Sequence, residues 1–234
     1  MFFTDMIYPG RCALCDDILN RKEKYVCREC RKNVRFLEGP KCCRCGRPIR
    51  DADSELCCAC AKRNSFFDEG LAPFAYDKIM IPSLMRFKYG HRAEYADFYA
   101  AAILFYGGAK IRRWKAQAVL PVPVHRRRMI RRGYNQAEEI AGRVAAGLNI
   151  PDLGRYVRRV KNTKPQKNLN DVQRRNNLRN SFRIDPGIKL PERVMIVDDI
   201  FTTGSTIDAM AAEARKRGAE KVFFVCAAIG SARQ

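Results

Sequence analysis

The sequence predicts an α/β fold, a parallel sheet flanked by helices, preceded by a small cysteine-rich region. Two observations support this prediction. Apolar strands alternate with helical segments after residue 70, and ten of the eleven cysteines lie between Cys12 and Cys60. The length of 234 residues suits one ordinary domain with a small appendage, or two modest domains. We expect residues 1–66 to form the small domain and residues 67–234 the larger one.

The cysteines form four C-x2-C pairs with a repeated spacing. Eleven residues separate Cys15 from Cys27, eleven separate Cys45 from Cys57, and the whole unit recurs with an offset of 30 residues. Two such pairs supply the four thiolates of a tetrahedral zinc site, which leaves no open position for substrate. We therefore predict two successive zinc ribbons with structural Zn²⁺. The predicted ligands are Cys12, Cys15, Cys27, Cys30, Cys42, Cys45, Cys57 and Cys60.

The spacing leaves alternatives open. Cys43 and Cys58 adjoin predicted ligands, so either sulfur of each Cys-Cys dipeptide could bind. The first pair could also share a metal with the third, although the equal spacers favour successive ribbons. Disulfides would need an oxidising compartment, and the first ten residues do not resemble a secretory signal. The longest apolar stretch, 98–106, is too short to span a membrane. We expect a cytoplasmic protein without membrane insertion.

The net charge of +20 is concentrated in one segment. Residues 111–183 hold 19 basic and 4 acidic side chains, whereas basic and acidic residues balance over 184–234. Such a concentration favours a polyanionic partner, either nucleic acid or a multiply phosphorylated small molecule. A solvated basic surface that serves solubility is an equal alternative.

The chain after residue 70 follows βαβ order. Apolar runs predict strands over 118–124, 193–197 and 222–229, and Cys226 is expected to be a buried strand residue. Helical periodicity predicts helices over 135–148 and 206–217.

The string 194–206, VMIVDDIFTTGST, is the most informative segment. An apolar strand delivers Asp198 and Asp199 at its end, and a hydroxyl-rich turn containing Gly204 opens a helix. The carboxylates can accept hydrogen bonds from ribose hydroxyls, while N–H groups of the turn can hold a phosphate. Simple helix capping is the alternative. The predicted phosphate-binding residues are Thr202, Thr203, Gly204, Ser205 and Thr206.

This string closely resembles the phosphoribosyl diphosphate (PRPP) motif of type I phosphoribosyltransferases. Residues 120–137, LPVPVHRRRMIRRGYNQA, resemble the segment that marks the ComF family within that superfamily, and 87–90 resemble its short FKYG motif. The double zinc ribbon is familiar from the same family. The resemblance implies a type I phosphoribosyltransferase fold that binds PRPP with Mg²⁺. Six more residues fall at the family's spacing: Thr163, Gln166, Leu169, Arg174, Asn177 and Phe182.

The resemblance also implies roles for individual residues. Asp198, Asp199 and Arg174 are the expected catalytic residues. The basic range 155–182 resembles the flexible loop that closes over PRPP, and a mobile surface loop without a catalytic role is the alternative. Arginines suit the departing diphosphate because they stabilise developing negative charge. The other expected PRPP contacts are Lys88, Arg128, Arg132, Asn135 and Gln136.

Three functions follow as expectations. The first is an enzyme, a glycosyltransferase that transfers phosphoribosyl to or from a base. The second is an accessory protein that binds single-stranded DNA, since the ComF family is associated with DNA uptake in natural transformation and with a DNA helicase. The third is a PRPP-sensing regulator that binds without turnover. The same chain could combine the first two.

Overall fold

The computed structural model describes residues 9–51, 53–160 and 181–230. Its centre is a five-stranded parallel sheet with the order β1-β7-β6-β3, and β2 also pairs with β7. Two further strands, β4 and β5, pair antiparallel outside this sheet. The strands are β1 (Glu69–Leu71), β2 (Phe74–Ala75), β3 (Ala118–Pro121), β4 (Val157–Arg159), β5 (Phe182–Ile184), β6 (Arg193–Phe201) and β7 (Lys221–Ile229).

Helices flank this sheet, which confirms the predicted α/β class with a parallel sheet. Two single-turn helices lie in the cysteine-rich region, α1 (Arg28–Arg31) and α2 (Cys58–Ala61). The others are α3 (Met80–Tyr89), α4 (Tyr95–Trp114), α5 (Arg126–Arg132), α6 (Gln136–Leu148) and α7 (Ser205–Lys216). Within the described ranges, no helix combines the length and apolar character needed to cross a bilayer.

The side chains of β6 and β7 alternate between two apolar layers, because successive strand residues point to opposite faces. Met195 and Phe223 pack in the layer that contains α4 and α6. Val194, Phe224 and Cys226 pack in the layer that contains α7. Both faces of the sheet are buried, as a parallel sheet requires.

Two predicted strands end at different residues from those expected. The strand predicted over 118–124 ends at Pro121, shortly before Pro123, which has no N–H for a further ladder bond. The strand predicted over 193–197 continues to Phe201, because β7 pairs with it that far. Asp198 and Asp199 therefore lie within β6 and beyond the end of β3. The β3 side of β6 is open there, and open α/β sheets bind ligands in such crevices.

Both predicted helices are present with slightly shifted ends. Asn135 caps α6, its side chain accepting a hydrogen bond from the N–H of Ala137. The second helix begins at Ser205 and ends at Lys216, shortly before Gly218. Both shifts are within the fraying of helix ends.

The basic range 155–182 is described at its two ends only, where β4 and β5 pair. Residues 161–180 lie outside the described residues, so the closing loop and the role of Arg174 stay predictions. The domain boundary after residue 66 also stays a prediction, and β1 begins at Glu69.

Candidate functional site

Two groups of four cysteines each bring their sulfurs within 4.8 Å of one another. Tetrahedral zinc with Zn–S bonds of about 2.3 Å would hold its sulfurs about 3.8 Å apart. The Sγ atoms of Cys15 and Cys27 are 3.8 Å apart, and those of Cys45 and Cys57 are 3.7 Å apart. Both groups therefore fit zinc in size and donor type. The first group is Cys12, Cys15, Cys27 and Cys30, and the second is Cys42, Cys45, Cys57 and Cys60.

This grouping confirms two successive four-cysteine zinc sites and removes the interleaved alternative. It also chooses one sulfur in each Cys-Cys dipeptide. Cys43 and Cys58 are exposed and belong to neither group. None of the cysteines in the described residues is joined in a disulfide.

The two ribbons dock on opposite faces of the sheet. Cys12 and Leu14 of the first ribbon join the apolar layer of α4 and α6. Cys42 and Cys60 of the second ribbon join the layer of α7. The guanidinium of Arg86 on α3 donates to the carbonyl oxygen of Leu14, so the first ribbon is anchored to α3.

Asp198 and Asp199 form a half-buried acid pair at the open edge of β6. The N–H of Asp199 donates to Oδ1 of Asp198 over 2.8 Å. On the other side, Nζ of Lys88 lies 2.8 Å from Oδ2 of Asp199, with the two side chains only 17% and 14% exposed. Burial, together with the negative charge of Asp199, raises the pKa of Asp198 to about 7. The pair can thus bind cations or hydroxyl groups, and one member titrates near neutrality.

Arginines from two elements surround the acid pair. Burial and repulsion from Arg128 lower the pKa of Arg159 on β4 to about 10, against the attraction of Asp198. Burial and repulsion from Arg132 likewise lower the pKa of Arg128 on α5, while Asp199 opposes that shift. Positive charges crowd together here and stay ionised at neutral pH. An anion among them would relieve their repulsion.

Arg132 is held in place by two neighbours. One of its nitrogens donates to the hydroxyl of Tyr89 over 3.1 Å, and its guanidinium carbon lies 4.9 Å from the centre of that ring. Its other terminal nitrogen donates to Oε1 of Gln136 over 2.7 Å. Such restraint presents a fixed cation to a ligand, since little side-chain entropy remains to be lost.

Asn135 and Gln136 are buried, and their side chains bond to protein groups. Nδ2 of Asn135 donates to the carbonyl oxygen of Val122 over 3.0 Å, and Nε2 of Gln136 donates to that of Phe87 over 3.2 Å. These bonds connect α6 to the end of β3 and to α3. The structure thus gives both residues a positioning role, and direct contact with a ligand stays a prediction.

The 202–206 turn joins β6 to α7. Gly204 has φ +79°, and a Cβ atom on it would lie 2.8 Å from the ring of Phe201, so both backbone and space favour glycine here. The hydroxyls of Thr203 and Ser205 are 3.0 Å apart, and Thr202 is exposed. Thr206 lies in the first turn of α7.

Two arginines of the second ribbon reach this turn. The guanidinium of Arg47 donates to the carbonyl oxygen of Thr202, and that of Arg63 donates to the carbonyl oxygen of Thr203 over 2.5 Å. These contacts span more than a hundred residues of sequence, and nothing in the local sequence pattern predicts them.

The structure therefore brings Lys88 and Arg128 to the acid pair, with the 202–206 turn following on the same strand. Sequence reasoning missed two residues of this region: Arg159, whose charge interacts with Asp198, and Tyr89, which holds Arg132. A signal existed for Tyr89, which lies inside the FKYG string beside Lys88. Arg159 stands in a basic stretch where one arginine cannot be distinguished from another.

Comparisons with known proteins agree with this architecture. Residues 3–61 match the family described as "Double zinc ribbon domain". The chain is 41% identical over 108 residues to "Competence protein F" of Haemophilus influenzae, covering 45% of this chain and 47% of that protein. It is 26% identical over 151 residues to "Competence protein ComFC" of Streptococcus pneumoniae, covering 64% of each. The chain thus spans about half the length of the Haemophilus relative.

A solved structure is also similar, the purine phosphoribosyltransferase from Pyrococcus horikoshii Ot3. The similarity covers 56% of this chain and 70% of that chain at 24% identity and a TM-score of 0.33. At this TM-score the likeness says nothing about ligand or activity.

Proposed function

Since this chain is related to the ComF proteins, we propose that it binds PRPP with Mg²⁺ and transfers phosphoribosyl to or from a base. One observation carries the proposal. Asp199 of the Asp198–Asp199 pair contacts Lys88 and interacts with the charge of Arg128, and the 202–206 turn follows directly at the end of the same strand. A phosphorylated ribose needs acceptors for its hydroxyls, N–H donors for its phosphate and cations for its diphosphate. These three kinds of group occur together here.

Each group has a proposed role in the reaction. The carboxylates of Asp198 and Asp199 accept hydrogen bonds from the ribose hydroxyls, and the turn holds the 5′-phosphate. Lys88, Arg128 and Arg132 hold the diphosphate, and their charge stabilises it as it leaves the anomeric carbon.

Mg²⁺ takes oxygen ligands from substrate phosphates and one or two carboxylates, and here it would neutralise part of the diphosphate charge. Asp198 and Asp199 are the carboxylates of the described site that fit it. Arg174, outside the described residues, is proposed to cover the bound substrate and exclude water.

Calorimetric titration of PRPP into the zinc-loaded protein with Mg²⁺ tests this proposal. We expect saturable binding by the wild type and its loss in the Asp198→Asn/Asp199→Asn variant. The control is Glu29→Gln/Glu38→Gln, which removes two exposed carboxylates of the first 66 residues and should bind as the wild type does. No binding by folded wild-type protein would refute the proposal.

Turnover is a separate measurement. Diphosphate release in the presence of individual nucleobases would identify an enzyme and its acceptor. Saturable PRPP binding without release for any base would indicate the PRPP-sensing regulator instead.

We also propose that the protein handles single-stranded DNA during uptake, in keeping with the competence names of its relatives, and works with a DNA helicase. Helix α5 exposes Arg126, Arg127 and Arg131, and Ile130 between them is 75% exposed. Basic groups beside an apolar side chain suit phosphates and unstacked bases. A cytoplasmic location belongs to this proposal, because zinc thiolates need a reducing compartment.

Fluorescence anisotropy with an oligothymidylate tests this second function. Affinity should fall steeply between about 50 and 200 mM salt if phosphate contacts dominate. Arg126→Gln/Arg127→Gln/Arg131→Gln should weaken binding and reduce the salt dependence. Lys22→Gln/Arg28→Gln/Lys32→Gln removes three exposed charges from the first ribbon and should change neither. Equal effects of the two triple variants would indicate nonspecific attraction to net charge.

A further inference from the structure

The second zinc ribbon holds the 202–206 turn through its backbone. Arg47 and Arg63 donate to the carbonyl oxygens of Thr202 and Thr203, two successive peptide groups. Arg47 is only 5% exposed and follows the ligand Cys45 by two residues. The carbonyl groups of Thr202 and Thr203 therefore point toward the second ribbon.

This anchoring sets the direction of the N–H groups in the turn. In a planar trans peptide the carbonyl oxygen and the next N–H point to opposite sides. The described residues contain no cis peptide, so the N–H groups of Thr203 and Gly204 point away from the ribbon. In that part of the chain no group accepts a hydrogen bond from either N–H. Both are available to an anion on the far side of the turn.

We infer that Arg47 and Arg63 are positioning residues that set the 202–204 backbone to bind the phosphate of a phosphorylated ribose. The inference rests on the proposed function. Without the two guanidinium groups these peptides could rotate and turn carbonyl oxygens, which repel anions, toward the phosphate. The two positive charges also raise the potential behind the turn.

This role belongs to the second ribbon alone. The offset of 30 residues places Asp17 and Asn33 of the first ribbon at the positions equivalent to Arg47 and Arg63. Neither of these side chains is positively charged. The duplicated metal fold has thus acquired, in one copy, two long cationic donors that reach a distant turn.

Two further contacts keep the second ribbon close to the turn. Gly46 has φ +72°, and a Cβ atom there would lie 2.7 Å from the carbonyl oxygen of Gly70 on β1. The N–H of Phe66, just after the ribbon, donates to Oδ1 of Asp208 in the first turn of α7 over 2.7 Å. The ribbon therefore contacts both the sheet and the helix that the turn connects.

The test compares two ligands in calorimetry on the zinc-loaded full chain: ribose 5-phosphate, which presents only the 5′-phosphate, and inorganic diphosphate. Arg47→Met and Arg63→Met should each weaken ribose 5-phosphate binding about tenfold, the loss of one charged hydrogen bond. Diphosphate affinity and zinc content should not change. The lysine variants, which keep a donor, should recover part of the affinity. The control is Arg11→Met, which breaks an arginine-to-carbonyl bond of 2.9 Å inside the first ribbon.

The outcomes separate the inference from the proposed function. Unchanged ribose 5-phosphate affinity in both methionine variants overturns the inference and leaves the function intact. Equal weakening of diphosphate binding also overturns it, because that indicates a general loss of structure. A folded wild type that binds neither ribose 5-phosphate nor PRPP overturns the proposed function and the inference together. If Arg47→Met loses zinc, the variants of the half-buried Arg63 provide the test. Weaker ribose 5-phosphate binding in Arg63→Met, with recovery in Arg63→Lys, supports the inference. Unchanged ribose 5-phosphate binding in Arg63→Met refutes it.

Discussion

The two zinc ribbons share one internal geometry and differ in what they hold. In the first, the N–H of Cys12 donates to the carbonyl oxygen of Asp17, and in the second Cys42 donates to that of Arg47, both over 2.8 Å. Equivalent residues Asp16 and Gly46 have φ of 73° and 72°. The first C-x2-C pair of each ribbon is thus followed by the same turn, although the two sequences differ.

The residues that face outward explain the different attachments. Asp16 pairs with Arg92 over 2.8 Å and accepts from the hydroxyl of Tyr95 over 2.6 Å, which anchors the first ribbon to the helical layer. Gly46 has no side chain and lets the backbone of the second ribbon approach that of Gly70.

The ribbons hold the candidate site from both faces of the sheet. The first contacts α3, the helix that carries Lys88, through Arg86. The second contacts the 202–206 turn through Arg47 and Arg63. A duplicated structural unit can therefore support two walls of one site. This requires that the surface residues of the two copies differ while their metal-binding cysteines stay the same.

Substitution of a single zinc-binding cysteine should give the largest effect and should show the difference between the two ribbons most clearly. Cys45→Ser and Cys15→Ser should each cost one of two zinc ions, and with it most of the roughly 10–16 kcal/mol of apparent metal binding. Cys45 is buried with all its partners, whereas Cys15 is exposed, so we expect the larger fall in melting temperature for Cys45→Ser. Zinc analysis and thermal unfolding measure both effects. Equal falls in melting temperature would contradict the expectation that the more buried site contributes more to stability.

Gly46→Ala tests the close approach of the second ribbon. Left-handed backbone costs a residue with a Cβ atom about 1–2 kcal/mol. The contact with the carbonyl oxygen of Gly70 adds to this because backbone cannot move aside cheaply. We expect the free energy of unfolding, measured in urea, to fall by about 2–3 kcal/mol. Gly39→Ala, with φ +73° and open space around the glycine, isolates the backbone contribution.

Asp16→Asn tests the attachment of the first ribbon. Asparagine keeps the size and tolerates the left-handed backbone, so only the charge is lost. Since the ion pair with Arg92 is partly exposed, we expect a loss of about 1 kcal/mol in urea unfolding. The control Asp53→Asn removes an exposed aspartate charge from the second ribbon and should have no measurable effect. A null result for Asp16→Asn would mean that apolar contacts alone hold the first ribbon.

The acid pair should give a pH dependence, and the part of it near neutral pH should be the smallest of these effects. The pKa of Asp198 is raised from 3.8 to about 7, so the folded protein binds a proton that the unfolded chain has released. The resulting stability is complete below pH 3.8 and is lost as pH rises through about 7. The fall in the free energy of unfolding begins near pH 4 and reaches about 1.4 kcal/mol per pH unit. Its last part, between about pH 6 and 7 where ordinary carboxylates are already ionised, should amount to about 1 kcal/mol, and the profile should level off above pH 8. Asp198→Asn should flatten this fall, and an unchanged profile would mean that another group titrates.

The sequence predicted the chemistry of the site better than its geometry. The C-x2-C spacing predicted the two four-cysteine groups that the structure forms, and the strand-acid-turn string predicted two carboxylates on an apolar strand before a turn, because both patterns are local. The role of Asp198 and Asp199 toward a ligand stays a prediction. Strand ends were less predictable. Whether β6 stops at Val197 or continues to Phe201 depends on its pairing with β7, which local pattern does not contain.

Local sequence by itself determined the metal centres, the alternation of strands and helices, and the turn at Gly204. Each depends on residues close together in the chain, where spacing and backbone conformation act directly. Only the tertiary structure decided that the ribbons dock on opposite faces, that Lys88 pairs with Asp199, and that Arg47 reaches Thr202. Those contacts join residues far apart in sequence, and their energies depend on burial and distance, which exist only once the sheet has brought them together.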